Sequence, residues 1–159
     1  MTALNPDALR ALIKSTLAPL GLYSPAAEEL LMATCAQESA LGLYRRQQGG
    51  GPALGIFQME PATFQDIFSN YLAYKPALLT DVCALATTQP PRPVELVTND
   101  AFAVLMARIH YLRAPGALPP ATDLAGIWNY YRGHYNTVLG KATQEEFYAN
   151  YKKLVGGPA

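Results

Sequence analysis

The sequence carries little charge, and neither positive nor negative charge is in excess. Lysine and arginine together number 12, aspartate and glutamate number 12, and the formal net charge is zero. Arg45-Arg46 and Lys152-Lys153 are the only adjacent basic pairs, so the basic patch that nucleic-acid binding requires is missing. A neutral chain also gains little at an anionic membrane surface. We therefore expect neither nucleic acid nor a membrane as a partner.

Cysteine and histidine are scarce as well, with two of each. The histidines lack the spacing of metal ligands, so neither a structural nor a catalytic zinc site is expected. Cys35 and Cys83 leave a disulfide open in principle. Because Cys35 falls on the apolar face of its helix, a small core residue is the favoured interpretation.

Long apolar runs are also missing. No segment approaches the roughly 20 residues that cross a bilayer, and the N-terminus lacks a basic region followed by an apolar stretch. We therefore expect a soluble product of the cytoplasm without an export signal of its own. Half of the 159 residues are hydrophobic and 15% are charged, which is typical of a globular chain. This length favours one domain over residues 1–159.

Helix-start signals and apolar periodicity predict a chain of helices. No convincing pair of strands is found, so the fold class is expected to be all or mostly α. In one helix, Arg108 and His110 flank the apolar stripe and are predicted to be surface or edge groups. The next helix, which follows Pro119-Pro120, is predicted to end at Gly133. The start signals are Asn5, Ser24, Pro61, Thr98 or Asn99, Pro119-Pro120 and Thr143, and one further helix covers residues 77–86.

Glu38 is the strongest candidate for a catalytic group. The helix after Ser24 places Glu38 on an apolar stripe in its last turn. Glu29 falls on the opposite face and Glu28 at its far edge, both as solvated carboxylates. Burial and the helix dipole both disfavour the charged form here, so both raise the pKa of Glu38. Such a group keeps its proton near neutral pH and can donate it. On spacing alone, a stripe-edge glutamate whose head reaches water is the commoner arrangement.

Two segments after Glu38 are predicted to border a site. Residues 44–52 hold three glycines and a proline in a polar run, which fits a surface connection or a flexible rim beside a cleft. Residues 53–61 are short and apolar and end with Glu60 before Pro61. Because a residue before proline avoids the helical region, Glu60 is predicted to be extended or in a turn. Its carboxylate fits either a helix N-terminus, where the dipole favours it, or a place in the site.

Three short motifs follow one another along the chain: Glu38-Ser39, Gly55-Ile-Phe-Gln-Met59 and Tyr130-Tyr-Arg-Gly133. Together they resemble the lysozyme-like domain of soluble lytic transglycosylases and goose-type lysozymes, and most of all its phage-encoded, cell-wall-degrading members. The first matches the family's Glu-Ser pair at a helix end, whose glutamate is the catalytic acid. The second matches a glycine, two apolar residues, a glutamine and an apolar residue that line the sugar cleft.

The third motif matches the family less well. In the family it reads Tyr-Asn-Ala-Gly, and its tyrosine faces the acid. Here Tyr130 and Gly133 match, while Tyr131 stands in for the asparagine and Arg132 for the alanine. Both tyrosines are therefore candidates. The substrate-binding residues that the resemblance implies are Ser39, Gln58, Met59, Tyr130 and Tyr131.

The resemblance implies a single lysozyme-like helical domain that degrades peptidoglycan. Such a muramidase cleaves the β-1,4 bond between N-acetylmuramic acid and N-acetylglucosamine, with Glu38 as the acid and without a cofactor. Its partner would be the glycan strand, and the protein would act as a monomer. It would be made in the cytoplasm of a host bacterium and act on the cell wall as a phage lysis enzyme (endolysin). A virion-carried enzyme or a secreted effector is left open.

Glu60 decides between two reactions. Goose-type lysozymes have an acidic residue near the glutamine that is implicated in positioning water, whereas soluble transglycosylases usually have an uncharged residue there. An inverting hydrolase needs a second carboxylate about 6.5–9.5 Å from the first, so Glu60 favours hydrolysis as a possible second catalytic carboxylate. The alternatives are a lytic transglycosylase that forms 1,6-anhydro-muropeptides and a non-catalytic glycan-binding or assembly module of the same fold.

Overall fold

The protein is all-α in the computed structural model, which describes residues 2–136 and 140–156. It is 61% helical, and the described residues contain no strands, which confirms the predicted fold class. None of the helices in these ranges is long and apolar enough to span a bilayer. The helices are α1 (Pro6–Leu17), α2 (Pro25–Ser39), α3 (Pro61–Asn70), α4 (Pro76–Leu85), α5 (Glu95–Thr98), α6 (Asp100–Leu112), α7 (Leu124–His134) and α8 (Gln144–Leu154).

Side-chain caps confirm four of the predicted helix starts, whereas Pro61 opens α3 without a capping hydrogen bond. In α1, α2, α6 and α8, the side chain of the capping residue accepts a hydrogen bond from a first-turn N–H, which satisfies an otherwise unpaired donor. In α7 this role falls to Asp123, and the helix continues through Gly133 instead of ending there. The one-turn helix α5 was not predicted. The other four capping residues are Asn5, Ser24, Asn99 and Thr143.

Helix α2 lies at the centre of the apolar core. It packs against α1, α6, α7 and α8, so nearly its whole circumference is buried. The prediction that its far side is solvated was therefore wrong. Glu29 is only 8% exposed, because it accepts hydrogen bonds from Arg10 of α1 and Tyr151 of α8. Glu28 pairs with the same arginine at 2.8 Å.

Both cysteines are free thiols in this structure. Cys35 is fully buried in α2, and burial raises the pKa of its thiol to about 12. The prediction that Cys35 is an apolar core residue is confirmed. Because the thiolate is the reactive form of cysteine, this group is chemically inert at neutral pH.

Candidate active site

A cleft of about 780 Å³ opens beside the C-terminal end of α2. Glu38 lies in its wall, together with residues of the loop that follows α2 and of the segment that leads into α3. Most of the lining side chains are polar, including three glutamines: Gln47, Gln48 and Gln58. A cleft of this size and polarity is suited to a ligand that carries many hydroxyl or amide groups.

Glu38 is held in this wall by one hydrogen bond from a neighbouring helix. The hydroxyl of Tyr131, in α7, donates to Oε1 of Glu38 at 2.6 Å. Burial raises the pKa of Glu38 to about 7, and the hydrogen bond from Tyr131 opposes that rise by stabilising the carboxylate. The predicted rise in the pKa is therefore present, and burial is its main cause.

The proton of Glu38 is carried on the oxygen that Tyr131 does not contact. Burial raises the pKa of Tyr131 strongly, and the adjacent carboxylate raises it further, so the phenol stays a donor to Oε1. Among the described residues, Oε2 has no hydrogen-bond partner. In the neutral form, Oε2 therefore bears the proton and is available to a ligand in the cleft.

The raised pKa predicts how stability changes with pH. The folded state binds the Glu38 proton more tightly than the unfolded chain, whose glutamate titrates near 4.5. This stabilisation is fully present below about pH 4.5 and is lost as the pH rises through about 7. At roughly 1.4 kcal/mol per pKa unit, the wild type should lose about 3 kcal/mol relative to Glu38→Gln across that range.

Urea unfolding of both proteins between pH 4 and 9 measures this difference. Glu145→Gln, which changes an exposed carboxylate on α8, is the matched control and should follow the wild type at every pH. Parallel curves for the wild type and Glu38→Gln would show that the pKa of Glu38 is not raised.

The chain reverses sharply after Glu38. Ala40 and Leu41 both adopt left-handed backbone conformations, with φ of 51° and 57°, and Gly42 follows at 85°. Such conformations are unfavourable for residues with a side chain. They are maintained here because Leu41 is 2% exposed and its N–H donates to the carbonyl of Cys35 at 3.3 Å.

Ser39 ties this reversal to the second motif and does not line the cleft. It is 1% exposed, and its hydroxyl donates to the carbonyl of Ile56 at 2.6 Å and accepts from the N–H of Gly42 at 2.8 Å. These contacts leave no position for a sugar. The predicted substrate-binding residue is thus placed where it fixes the cleft wall.

Gly55 is required by the fold of the second motif. Its φ is +80°, and a Cβ added there would lie 2.1 Å from the backbone oxygen of Leu96, far inside van der Waals contact. On either side of the turn that contains Gly55, Leu54 and Met59 exchange two backbone hydrogen bonds of 3.0 Å, which form a tight bridge. Met59 is 3% exposed, and its remaining surface lines the cleft as predicted.

Gln58 sits at the tip of this bridge and lines the cleft. Its backbone is left-handed, with φ of 49°. Its side-chain nitrogen donates to the carbonyls of Gly55 at 2.9 Å and Tyr44 at 3.2 Å. Because both amide hydrogens are used, the side-chain oxygen is left as an acceptor for a ligand.

Glu60 is also in the cleft wall, two residues further along. Its backbone is extended, with φ of −76° and ψ of 147°, as the following proline predicts. It precedes α3, but its side chain makes no capping hydrogen bond to that helix. The carboxylate is exposed and is therefore free to contact a ligand or water.

The two tyrosines of the third motif differ in position. Tyr131 is fully buried and bonds to Glu38, so it is the tyrosine that faces the acid. Tyr130 packs its ring 4.6 Å from His134 and 5.6 Å from Tyr111, and no hydrogen bond joins it to Glu38. Tyr130, which matches the tyrosine of the Tyr-Asn-Ala-Gly motif by sequence, is thus not the residue that contacts Glu38.

Sequence reasoning missed several cleft residues. His110 was predicted as a surface or edge group with no part in a site, yet it lines the cleft, and His134, Tyr135 and Lys141 do so as well. Tyr135 donates its hydroxyl to the carbonyl of Phe57 at 2.6 Å and so joins α7 to the second motif. No motif marks these residues. The packing of α6 and α7 around α2 brings His110, His134 and Tyr135 to the cleft, and Lys141 reaches it from the segment that precedes α8.

Within residues 2–136 and 140–156, no group of three or more histidine, cysteine, aspartate and glutamate side chains is arranged to hold a metal ion. No protein-family model, curated protein or solved structure matches the chain. The proposed function therefore depends on the geometry and chemistry of this cleft and on the three sequence motifs that border it.

Proposed function

We propose that the protein is a peptidoglycan-degrading glycosidase, a muramidase with Glu38 as its general acid. The observation that carries the proposal is a glutamic acid whose pKa is raised to about 7 and whose carboxyl group opens onto a large polar cleft. Glycosidases need a carboxylic acid that keeps its proton at neutral pH, next to a cleft that holds sugar rings.

The first step follows from the arrangement of Glu38 and Tyr131. Oε2 of Glu38 gives its proton to the glycosidic oxygen, the bond to the sugar C1 breaks, and positive charge develops on the ring. Glu38 becomes a carboxylate, and the hydrogen bond from Tyr131 strengthens as the charge forms. Tyr131 thus stabilises the product form of the acid without giving up its own proton.

The polar wall of the cleft supplies the remaining contacts. The free side-chain oxygen of Gln58 can accept a hydroxyl or amide hydrogen from the sugar that carries the developing charge. Ser39 and Gly55 act indirectly, because they fix the backbone that presents Gln58.

Glu60 completes the reaction as hydrolysis. An exposed carboxylate in the same cleft can take a proton from water as that water attacks C1. The product then carries a reducing N-acetylmuramic acid end. In the alternative, a lytic transglycosylase, the sugar's own 6-hydroxyl attacks, Glu38 takes its proton, and a 1,6-anhydro end forms.

Peptidoglycan is the substrate to which the motif order points. Within the proposal, the protein acts as a monomer on the cell wall of a bacterial host, as a phage lysis enzyme. Neither a cofactor nor nucleic acid takes part in the reaction. The bacteriolytic activity would make it an antimicrobial protein.

The pH dependence of the rate should report Glu38. We expect kcat/KM to fall above about pH 7, since the acid must be protonated before it can act. Tyr131→Phe removes the hydrogen bond that lowers the pKa of Glu38. The fall of kcat/KM on the basic side of the pH profile (the basic limb) should therefore move to higher pH by roughly one unit. Initial rates on soluble glycan fragments of peptidoglycan between pH 5 and 9 measure both effects. A flat profile in the wild type, or an unmoved limb in a folded Tyr131→Phe protein, would contradict the assignment.

A gel that contains embedded bacterial cell walls gives the first test of the function. The wild type and the control Glu145→Gln should both clear a zone after renaturation. A protein that sediments with the walls but clears nothing would instead be the non-catalytic glycan-binding module.

A further inference from the structure

His110 lies near the C-terminal end of α6 and has no place in the mechanism described above. It lines the large cleft and also a second, smaller cavity of about 230 Å³. His134 lines both cavities as well, so the two spaces adjoin along these histidines.

A chain of polar contacts fixes the imidazole of His110. Nη2 of Arg113 lies 2.9 Å from Nδ1 of His110, and Nη1 of the same arginine pairs with Asp66 of α3 at 2.6 Å. Asp66 also accepts a hydrogen bond from Asn70 at 2.6 Å. The carboxylate thus orients the guanidinium, and the guanidinium in turn contacts one ring nitrogen.

This contact determines the tautomer of His110. A guanidinium has only donors, so Nδ1 of the ring must be the acceptor, and in the neutral ring the proton lies on Nε2. Burial lowers the pKa of His110 to about 4, with a further decrease from the charge of Arg113; the charge of His134 acts in the same direction and that of Asp66 opposes it. The ring is therefore neutral throughout the range in which Glu38 is a working acid.

The second ring nitrogen, Nε2, has no partner among residues 2–136 and 140–156. No hydrogen bond from Nε2 to another described residue is present, and Nε2 is not among the buried polar atoms that lack a partner. The ring of Tyr135 meets the imidazole edge-on, with centroids 4.8 Å apart, and holds its plane. Nε2–H is thus a fixed, accessible donor on a residue of the cleft wall.

We propose that His110 is a substrate-binding residue that donates from Nε2 to an oxygen of the bound glycan, either an acetamido carbonyl or a hydroxyl. Arg113 and Asp66 are positioning residues that act through the ring. The inference rests on the proposed function for the identity of the ligand, but the tautomer and accessibility of His110 do not depend on it.

Nitrogen NMR of the histidine side chains tests the tautomer without any substrate. The sequence has two histidines, so the signal set that disappears in His110→Phe belongs to His110 and the remaining set to His134. We expect Nδ1 unprotonated and Nε2 protonated in His110, with shifts constant from pH 5.5 to 8. Arg113→Met removes the donor to Nδ1, so the tautomer protonated on Nδ1 should appear in this variant, while the ring stays neutral because burial still lowers its pKa. A proton on Nδ1, or titration near pH 6.5 in the wild type, would overturn the proposal.

Kinetics on soluble peptidoglycan fragments test the binding role. His110→Phe keeps the ring shape and removes the donor, so KM should rise about tenfold, the effect of one lost hydrogen bond, while kcat stays within about twofold. His110→Gln, whose amide can replace Nε2–H, should recover most of the loss, which a purely structural role would not predict. Equal KM values for the wild type and a folded His110→Phe protein would overturn the proposal. An inactive wild type would overturn the proposed function and, with it, the glycan as the ligand of His110.

Discussion

Glu38→Gln is expected to lose nearly all lytic activity while it remains folded. The amide has the shape of the acid, and its oxygen can still accept the hydrogen bond from Tyr131, so the cleft wall is preserved. What is lost is the proton on Oε2, and a general acid contributes roughly 10²–10⁴ in rate. Turbidity loss of a cell-wall suspension measures the rate, and circular dichroism checks the fold.

The control for this variant is Glu145→Gln, which should lyse walls at the wild-type rate. Because Glu38→Gln removes a buried ionisable group, it should also be more stable than the wild type above pH 7, so unfolding cannot account for its inactivity. Lysis at a near wild-type rate by folded Glu38→Gln would remove Glu38 from the catalytic role.

Glu60→Gln is expected to have the second-largest effect. If Glu60 is the base that activates water, its replacement should lower the rate by roughly 10²–10⁴ and leave the basic limb set by Glu38 unchanged. Its exposed position and lack of a capping contact predict little change in stability. Rates on soluble fragments, compared with those of Glu145→Gln, measure the loss.

The same variant separates the two reactions. A transglycosylase uses the substrate's own hydroxyl, so Glu60→Gln would then retain most of its rate and release anhydro products. That outcome would contradict hydrolysis and would leave Glu38 as the acid.

Local signals were sufficient to predict most of the helices. Asn5, Ser24, Asn99 and Thr143 each mark a start because a short polar side chain satisfies first-turn donors. Glu29 could not be placed in this way. Its burial depends on Arg10 and on Tyr151, which is 122 residues away in the chain, and the periodicity of one helix contains no information about such partners.

The same limit applies to the candidate site. Glu38 and Gln58 were predicted because each lies in a motif, and both line the cleft. Which face of α7 packs against α2 decides that Tyr131, and not Tyr130, reaches the acid, and this orientation depends on tertiary packing. His110 was missed because the sequence shows only that it lies at the edge of the apolar stripe of α6. The contact with Tyr135 at the end of α7 makes this edge part of the cleft wall.

Mass spectrometry of muropeptides released from purified peptidoglycan tests the central claim most directly. The account predicts that the wild type releases fragments cleaved between N-acetylmuramic acid and N-acetylglucosamine, with reducing muramic acid ends, and that Glu38→Gln releases none. Fragments lighter by one water would carry anhydro ends, and the reaction would then be transglycosylation instead of hydrolysis. Absence of any cleavage at this bond by folded wild-type protein would contradict the account.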